Sequence, residues 1–168
     1  MANTIIAICA LVVSVAATGT AVWSAVLQRR YMRLSVRPIA SIGTADYEDR
    51  VSVSLKNRGL GPMLVKTLRV SKKEGETHRT VLDHMPELER GIIWRDFYGI
   101  VDGRTLENGK KFNLVVLEGD SGESVFRTSR DKVRKSLKDL TITVEYEDLY
   151  GTPMEVYKKD LSWFGREK

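Results

Sequence analysis

The chain has 168 residues, of which 42% are hydrophobic and 29% are charged, and its net charge is +5. Four of its 27 lysine and arginine residues fall at positions 29, 30, 33 and 37, so the rest of the chain is close to neutral. A nucleic-acid-binding domain needs a basic surface on its folded part. This distribution argues against a nucleic-acid partner and places the excess positive charge beside the N-terminal segment.

The first 28 residues contain no charged side chain and predict a transmembrane anchor. Between Thr4 and Leu27 the sequence would form a helix of ~36 Å, enough to cross a hydrocarbon core of ~30 Å. Such a segment argues against an ordinary cytosolic enzyme. We predict three parts, namely a transmembrane anchor at 1–28, a basic juxtamembrane segment at 29–37 and one β-rich soluble domain at 38–168.

Residues typical of a membrane edge end this segment. Trp23 and Tyr31 are aromatic residues of the kind that lie at the lipid–water interface. The basic residues at the edge are Arg29, Arg30, Arg33 and Arg37. Because a positively charged flank stays in the cytoplasm, the pattern predicts a single-pass protein of the plasma (inner) membrane, with its N-terminus outside and its C-terminal domain cytoplasmic.

A cleaved signal peptide is the alternative interpretation of the same segment. The small residues Ala17, Thr18 and Gly19 would suit a cleavage site. A signal peptide carries its basic residues before the apolar region, whereas here they follow it. The order of charge therefore favours an anchor, and cleavage would instead place the domain outside the cytoplasm.

Small residues recur at helical spacing within the span and favour helix pairing. They are Ala10, Ser14, Ala17, Ala21 and Ala25. Lipid gives no hydrophobic drive for helix association, so small faces that let backbones approach are a common means of pairing. A homo-oligomer formed through the span is one interpretation, and simple tolerance of small residues in lipid is the other. The single cysteine, Cys9, also lies here, which excludes an intrachain disulfide.

The soluble part shows the period of two that is typical of half-buried strands. Leu140–Glu147 alternates apolar with polar residues, and Val51–Lys56 does the same. Further strands are predicted around Phe112, Leu114 and Val116, at Leu68 with Val70, and at Met154 with Val156. Several short antiparallel strands separated by turns favour a β-sandwich.

One or two short helices are predicted to interrupt the strands. Ser129 would cap a basic helix that presents Val133, Leu137 and Leu140 on one side. A second, mixed apolar stretch at 81–100 is broken by Pro86, Gly91 and Gly99. Between the strands, the turn at 57–62 contains two glycines, which permit a positive φ cheaply.

The segment at 51–70, VSVSLKNRGLGPMLVKTLRV, resembles the strand, Asn-x-Gly turn and strand junction of bacterial immunoglobulin-like sandwich modules. The N-terminal span, the RLSVRP segment at 33–38, this turn and the later Tyr146 and Tyr150-Gly151 together resemble uncharacterised small membrane-anchored proteins of bacteria. The resemblance implies an immunoglobulin-like β-sandwich behind a transmembrane helix. It implies no activity and no site.

The sequence contains no recognisable catalytic, cofactor or metal motif. His78 and His84 are six residues apart, which fits neither a helical zinc pair nor a zinc finger. The glycines of the 57–62 turn lack the Gly-Lys-Ser/Thr ending of a phosphate loop. Acidic residues cluster at 46–49 and 145–148, where predicted turns keep carboxylates solvated. We predict a protein that is not an enzyme and holds no cofactor or metal.

Two surfaces are candidates for binding. The basic residues Arg130, Lys132, Arg134 and Lys135 would suit anionic lipid or a partner, or form a solvated helix face. The aromatic residues Trp94, Phe97 and Tyr98 would suit a protein interface, or pack in the core.

Together these patterns predict a membrane-anchored protein-interaction or scaffold module. The alternative is an oligomeric membrane effector whose cytoplasmic domain senses a ligand and perturbs the membrane.

Overall fold

The N-terminal residues form one continuous helix, α1 (Ala2–Ser35). The computed structural model describes residues 1–72 and 75–166 and divides the chain into two units, Met1–Val36 and Arg37–Lys168. By length and composition α1 is able to cross a membrane, with a mean hydropathy of 2.4 in its most apolar window. It runs on through the basic segment because no glycine or proline interrupts residues 28–35. Pro38 disfavours a helical conformation at Arg37.

The second unit is mainly β. Its elements in chain order are β1 (Ala40–Asp46), β2 (Arg50–Asn57), β3 (Met63–Lys72), β4 (Thr77–His78), a 3₁₀ turn (Leu82–His84), β5 (Thr105–Leu106), β6 (Lys111–Glu118), α2 (Ser124–Leu137), β7 (Leu140–Glu147), β8 (Tyr157–Asp160) and a second 3₁₀ turn (Ser162–Gly165). The strands form two antiparallel sheets. One has the order β1-β2-β6, and the other has the order β4-β3-β7-β8 with β5 also paired to β3.

Side chains from both sheets share one core with α2. The prediction for 140–147 is confirmed, since β7 has those bounds and Leu140, Ile142, Val144 and Tyr146 are its buried residues. The buried residues of α2 are Phe126, Ser129, Val133 and Leu137, which recur at the three- and four-residue spacing of one helix face. Buried apolar residues of β1, β2, β3 and β6 also belong to this core.

Three local predictions are wrong. Ser129 does not cap a helix, because α2 starts at Ser124 and the buried Ser129 hydroxyl accepts a hydrogen bond from the Glu89 amide at 3.2 Å. Met154 and Val156 precede β8 instead of forming a strand. The 81–100 stretch contains only a 3₁₀ turn, since Pro86 lacks an amide donor and Gly91 adopts a φ of 88°.

Strand register gives the second unit two distinct ends. At the loop end, Ala40 pairs with Asn57 and Leu64 pairs with Glu147, which brings together the segments 37–39, 57–62, 106–111 and 148–156. At the helix end lie the turn between β1 and β2, α2 and the second 3₁₀ turn. The two ends are separated by strands of seven to ten residues, or ~20 Å or more.

Asn57 holds the loop end together. Its side chain is buried, and Nδ2 donates to the carbonyls of Gly61 and Leu106 at 2.7 and 3.0 Å. Its Oδ1 accepts from the amides of Ile39 and Gly59 at 3.2 and 3.0 Å. Because one side chain serves three separate segments, the loops have a fixed arrangement.

Gly59 allows the backbone of residues 37–39 to pass close to the 57–62 turn. Neither Gly59 nor Gly61 is among the described positive-φ glycines, so this turn does not use the positive φ that its two glycines permit. A Cβ on Gly59 would lie 2.2 Å from the Arg37 carbonyl oxygen and 2.5 Å from the Ile39 amide nitrogen. Any side chain at this position would therefore push the incoming chain away from Asn57.

Candidate interaction surface

The segment after the first 3₁₀ turn runs along the outer edge of β6. The Arg95 amide donates to the Val116 carbonyl at 2.9 Å, and the Val116 amide donates to the Asp96 carbonyl at 2.8 Å. The Tyr98 amide donates to the Asn113 carbonyl at 2.7 Å. These bonds cover an edge that would otherwise present unpaired backbone groups. They also fix the backbone of residues 95–98 against the sheet.

Apolar side chains of this segment point in two directions. The side chains that are partly buried and pack against the core are those of Met85, Leu88, Ile92, Trp94 and Tyr98. Ile93, Phe97 and Ile100 point outward and are 78%, 49% and 51% exposed. We call these three residues the apolar ridge. Ile93 and Phe97 also line a shallow groove together with Pro86, Leu88, Ile92 and Trp94.

The structure separates the three aromatic residues that the sequence grouped. Trp94 and Tyr98 pack inward, and the Tyr98 ring centroid lies 4.6 Å from that of Phe112. Phe97 is exposed and belongs to the apolar ridge. Ile93 was not singled out from the sequence. Its signal is the alternation from Ile92 to Trp94, which in an extended segment places neighbouring side chains on opposite sides.

The basic residues predicted on α2, which we call the α2 basic patch, mostly have partners within the domain. Arg130 donates from Nη1 to the Glu48 carbonyl at 2.8 Å. The Lys132 ammonium lies 2.6 Å from a Glu89 carboxylate oxygen. Within residues 1–72 and 75–166, Lys135 is the member of the patch without an ion pair. Much of this charge is therefore used to attach α2 to the loops around it.

A buried carboxylate organises the helix end. The Asp46 side chain is fully buried, and its Oδ2 lies 3.2 Å from Nε of Arg134 and 3.6 Å from Nη2 of Arg166. Arg134 also lies 3.8 Å from Asp131, which is half exposed. The Arg166 guanidinium stacks 3.3 Å from the centroid of the Trp163 ring, a cation–π contact. Together these contacts join β1, α2 and the C-terminal 3₁₀ turn.

Within the first unit, the side chains of α1 are all exposed. They include the predicted membrane-edge residues up to Arg33 and the small residues from Ala10 to Ala25. The Ser14 hydroxyl donates to the Ala10 carbonyl at 2.8 Å, and the Thr18 hydroxyl donates to the Ser14 carbonyl at 2.8 Å. Because these donors are satisfied by the helix itself, they do not require a polar partner in lipid.

The two histidines are brought together, which their spacing did not predict. The rings of His78 and His84 pack edge to face with centroids 4.6 Å apart. Nε2 of His84 lies 3.0 Å from the Val70 carbonyl, and Nε2 of His78 lies 3.2 Å from Glu76. Among the described residues, no group of three or more metal-ligating side chains forms around them.

Comparisons with protein-family models, with curated proteins and with solved structures find no match to this chain. The candidate surface is therefore defined by its own residues. The apolar ridge combines large exposed side chains with a backbone fixed to β6. That combination suits the binding of another apolar surface.

Proposed function

We propose that this chain is a single-pass membrane-anchored protein-interaction or scaffold module whose cytoplasmic β-domain binds a protein partner through the apolar ridge. The observation that carries the proposal is the exposure of Ile93, Phe97 and Ile100 on a segment hydrogen-bonded to the β6 edge. Protein interfaces are enriched in such aromatic and aliphatic anchors. A backbone that is already fixed loses little entropy when a partner binds.

The membrane anchor and its orientation belong to the same proposal. Support comes from the length and hydropathy of α1, from its internally bonded hydroxyls and from the arginines that follow the apolar segment. The positive-inside rule then gives a cytoplasmic C-terminal domain. For the domain itself we propose an immunoglobulin-like sandwich, supported by the two antiparallel sheets and the resemblance of the 51–70 junction.

Photo-crosslinking in the native cells tests the partner. A benzoyl-phenylalanine at Phe97 should give a discrete adduct, and the same residue at Tyr47, which is 64% exposed at the helix end, should not. Ile93→Asp should abolish the adduct while leaving the protein level in the membrane unchanged. Equal labelling from the Phe97 and Tyr47 positions would contradict the proposal.

Thiol labelling tests orientation. Ser162 is exposed and its side chain has no hydrogen bond among the described contacts, so Ser162→Cys introduces a reactive group with little disturbance. A membrane-impermeant maleimide should label this variant only after cell lysis, whereas Cys9 should stay protected within the bilayer. Labelling in intact cells would place the domain outside, and loss of residues 1–19 from the mature protein would indicate a signal peptide.

A further inference from the structure

Large apolar side chains protrude from the loops at the loop end. Leu60 and Leu149 are 68% and 72% exposed, and Ile39 and Tyr150 are each more than half exposed. Scattered exposed apolar residues are ordinary, whereas several on adjacent loop tips mark contact with a protein or a membrane. Tyrosine is also a residue that favours the lipid–water interface.

These loop tips have fixed positions. Leu60 lies in the turn that the Asn57 side chain holds through Gly59 and Gly61. The loop that carries Leu149 is closed by Asp148, whose Oδ1 accepts from the amides of Tyr150 and Thr152 at 2.8 Å. Because these loops are already ordered, their apolar side chains can contact a protein or a membrane without the entropy loss of ordering a flexible loop.

Exposed bases outnumber exposed acids in the segments of the loop end. In the segments of the loop end the exposed bases are Arg37, Arg58, Lys110 and Lys111, and the exposed acids are Glu107 and Glu155. Within the part of the chain that the structure describes, none of these four bases forms an ion pair. Bases without an ion pair, together with exposed apolar side chains, match the chemistry of an anionic lipid surface.

The loop end begins only a few residues after α1 in the sequence. Only Val36, Arg37 and Pro38 lie between the last residue of α1 and Ile39, and three residues reach ~10 Å at full extension. We propose that the loop end is a membrane-contact surface, with Leu60 and Leu149 inserted among the headgroups of the bilayer that α1 crosses. This inference rests on the membrane anchoring in the proposed function.

Depth-dependent fluorescence quenching tests this contact. The whole chain is reconstituted in vesicles of phosphatidylcholine and phosphatidylglycerol and labelled with a nitrobenzoxadiazole dye at one cysteine. The single-cysteine variants are native Cys9, Cys9→Ala with Leu60→Cys, Cys9→Ala with Leu149→Cys, and Cys9→Ala with Tyr47→Cys. Tyr47 is the matched control because its 64% exposure is similar to that of Leu60 and it lies at the helix end.

The dyes at Leu60 and Leu149 should be quenched by a nitroxide near the lipid headgroup roughly threefold more than the dye at Tyr47, since the two ends lie ~20 Å apart. Adding Leu60→Asp to the variant labelled at Leu149 should lower its quenching. If the dyes at Leu60, Leu149 and Tyr47 were quenched equally while Cys9 was quenched by a deep nitroxide, the loop end would not be the membrane-contact surface. The proposal that α1 crosses the membrane would still stand. An unquenched Cys9 would reject the anchor and the contact together.

Discussion

The α2 basic patch and the loop end each carry four bases, but the structure uses the two sets in different ways. On α2, Arg130, Lys132 and Arg134 bond to a carbonyl or to carboxylates of the same domain. At the loop end, Arg37, Arg58, Lys110 and Lys111 have no ion pair within residues 1–72 and 75–166. A dense run of bases in sequence can therefore be internally neutralised, whereas bases scattered over three loops remain available to bind an anionic surface.

The largest effect should come from removing the side chain that assembles the loop end. Asn57→Ala leaves two amides and two carbonyls without their partners. We expect a loss of about 4 kcal/mol in the free energy of unfolding, because each buried polar group left unpaired costs ~1–3 kcal/mol. Thermal unfolding in detergent, followed by near-ultraviolet circular dichroism, measures this loss.

The exposed Asn108 provides the control for Asn57. Asn108→Ala should change stability by less than ~0.5 kcal/mol, as expected for a surface position. Equal unfolding temperatures for the two variants would mean that the hydrogen bonds of Asn57 do not hold the loop end.

A smaller effect should come from breaking the ion cluster at the helix end. Asp46→Asn keeps the shape of the side chain but removes the charge between Arg134 and Arg166. We expect a loss of about 3 kcal/mol, because removing one partner of a buried ion pair leaves uncompensated charge. The same thermal unfolding experiment measures it.

Asp131→Asn removes the second carboxylate near Arg134 and serves as the control for Asp46. Because Asp131 is 53% exposed, its pair with Arg134 is worth less than ~1 kcal/mol. If both variants lost the same stability, burial of Asp46 would not be the source of its effect. The charges on α2 would then not differ from those of the loop end in being used to stabilise the fold.

Periodicity predicted the parts of this fold that depend on local pattern. Leu140–Glu147 could be assigned because burial of one sheet face imposes a period of two. The uncharged N-terminal segment predicted a helix able to span a membrane for a similarly local reason. The start of α2 was missed because Ser129 has the chemistry of a cap, while its actual partner, the Glu89 amide, is 40 residues away.

The site was less predictable because it depends on long-range register. The approach of Asp46 to Arg134 joins positions 88 apart in sequence, and the loop end combines Ile39, Leu60 and Leu149 from three separate segments. For Trp94 and Phe97, composition indicated an aromatic cluster, but only the bonds to β6 decide which ring faces outward.

The smallest effect should come from reversing charges that are proposed to face the lipid. The experiment compares the loop end directly with the α2 basic patch. Two double variants reverse the same number of charges on the two surfaces. The loop-end pair is Arg58→Glu with Lys110→Glu, and the α2 pair is Lys132→Glu with Lys135→Glu. In the whole chain labelled at Leu149, the loop-end pair should roughly halve headgroup quenching in anionic vesicles, since each base near the surface contributes ~1 kcal/mol. The α2 pair should leave quenching unchanged, and high salt should reduce the difference between them. A larger loss from the α2 pair would show that the helix end, with its internal ion pairs, is nevertheless the surface that meets the membrane.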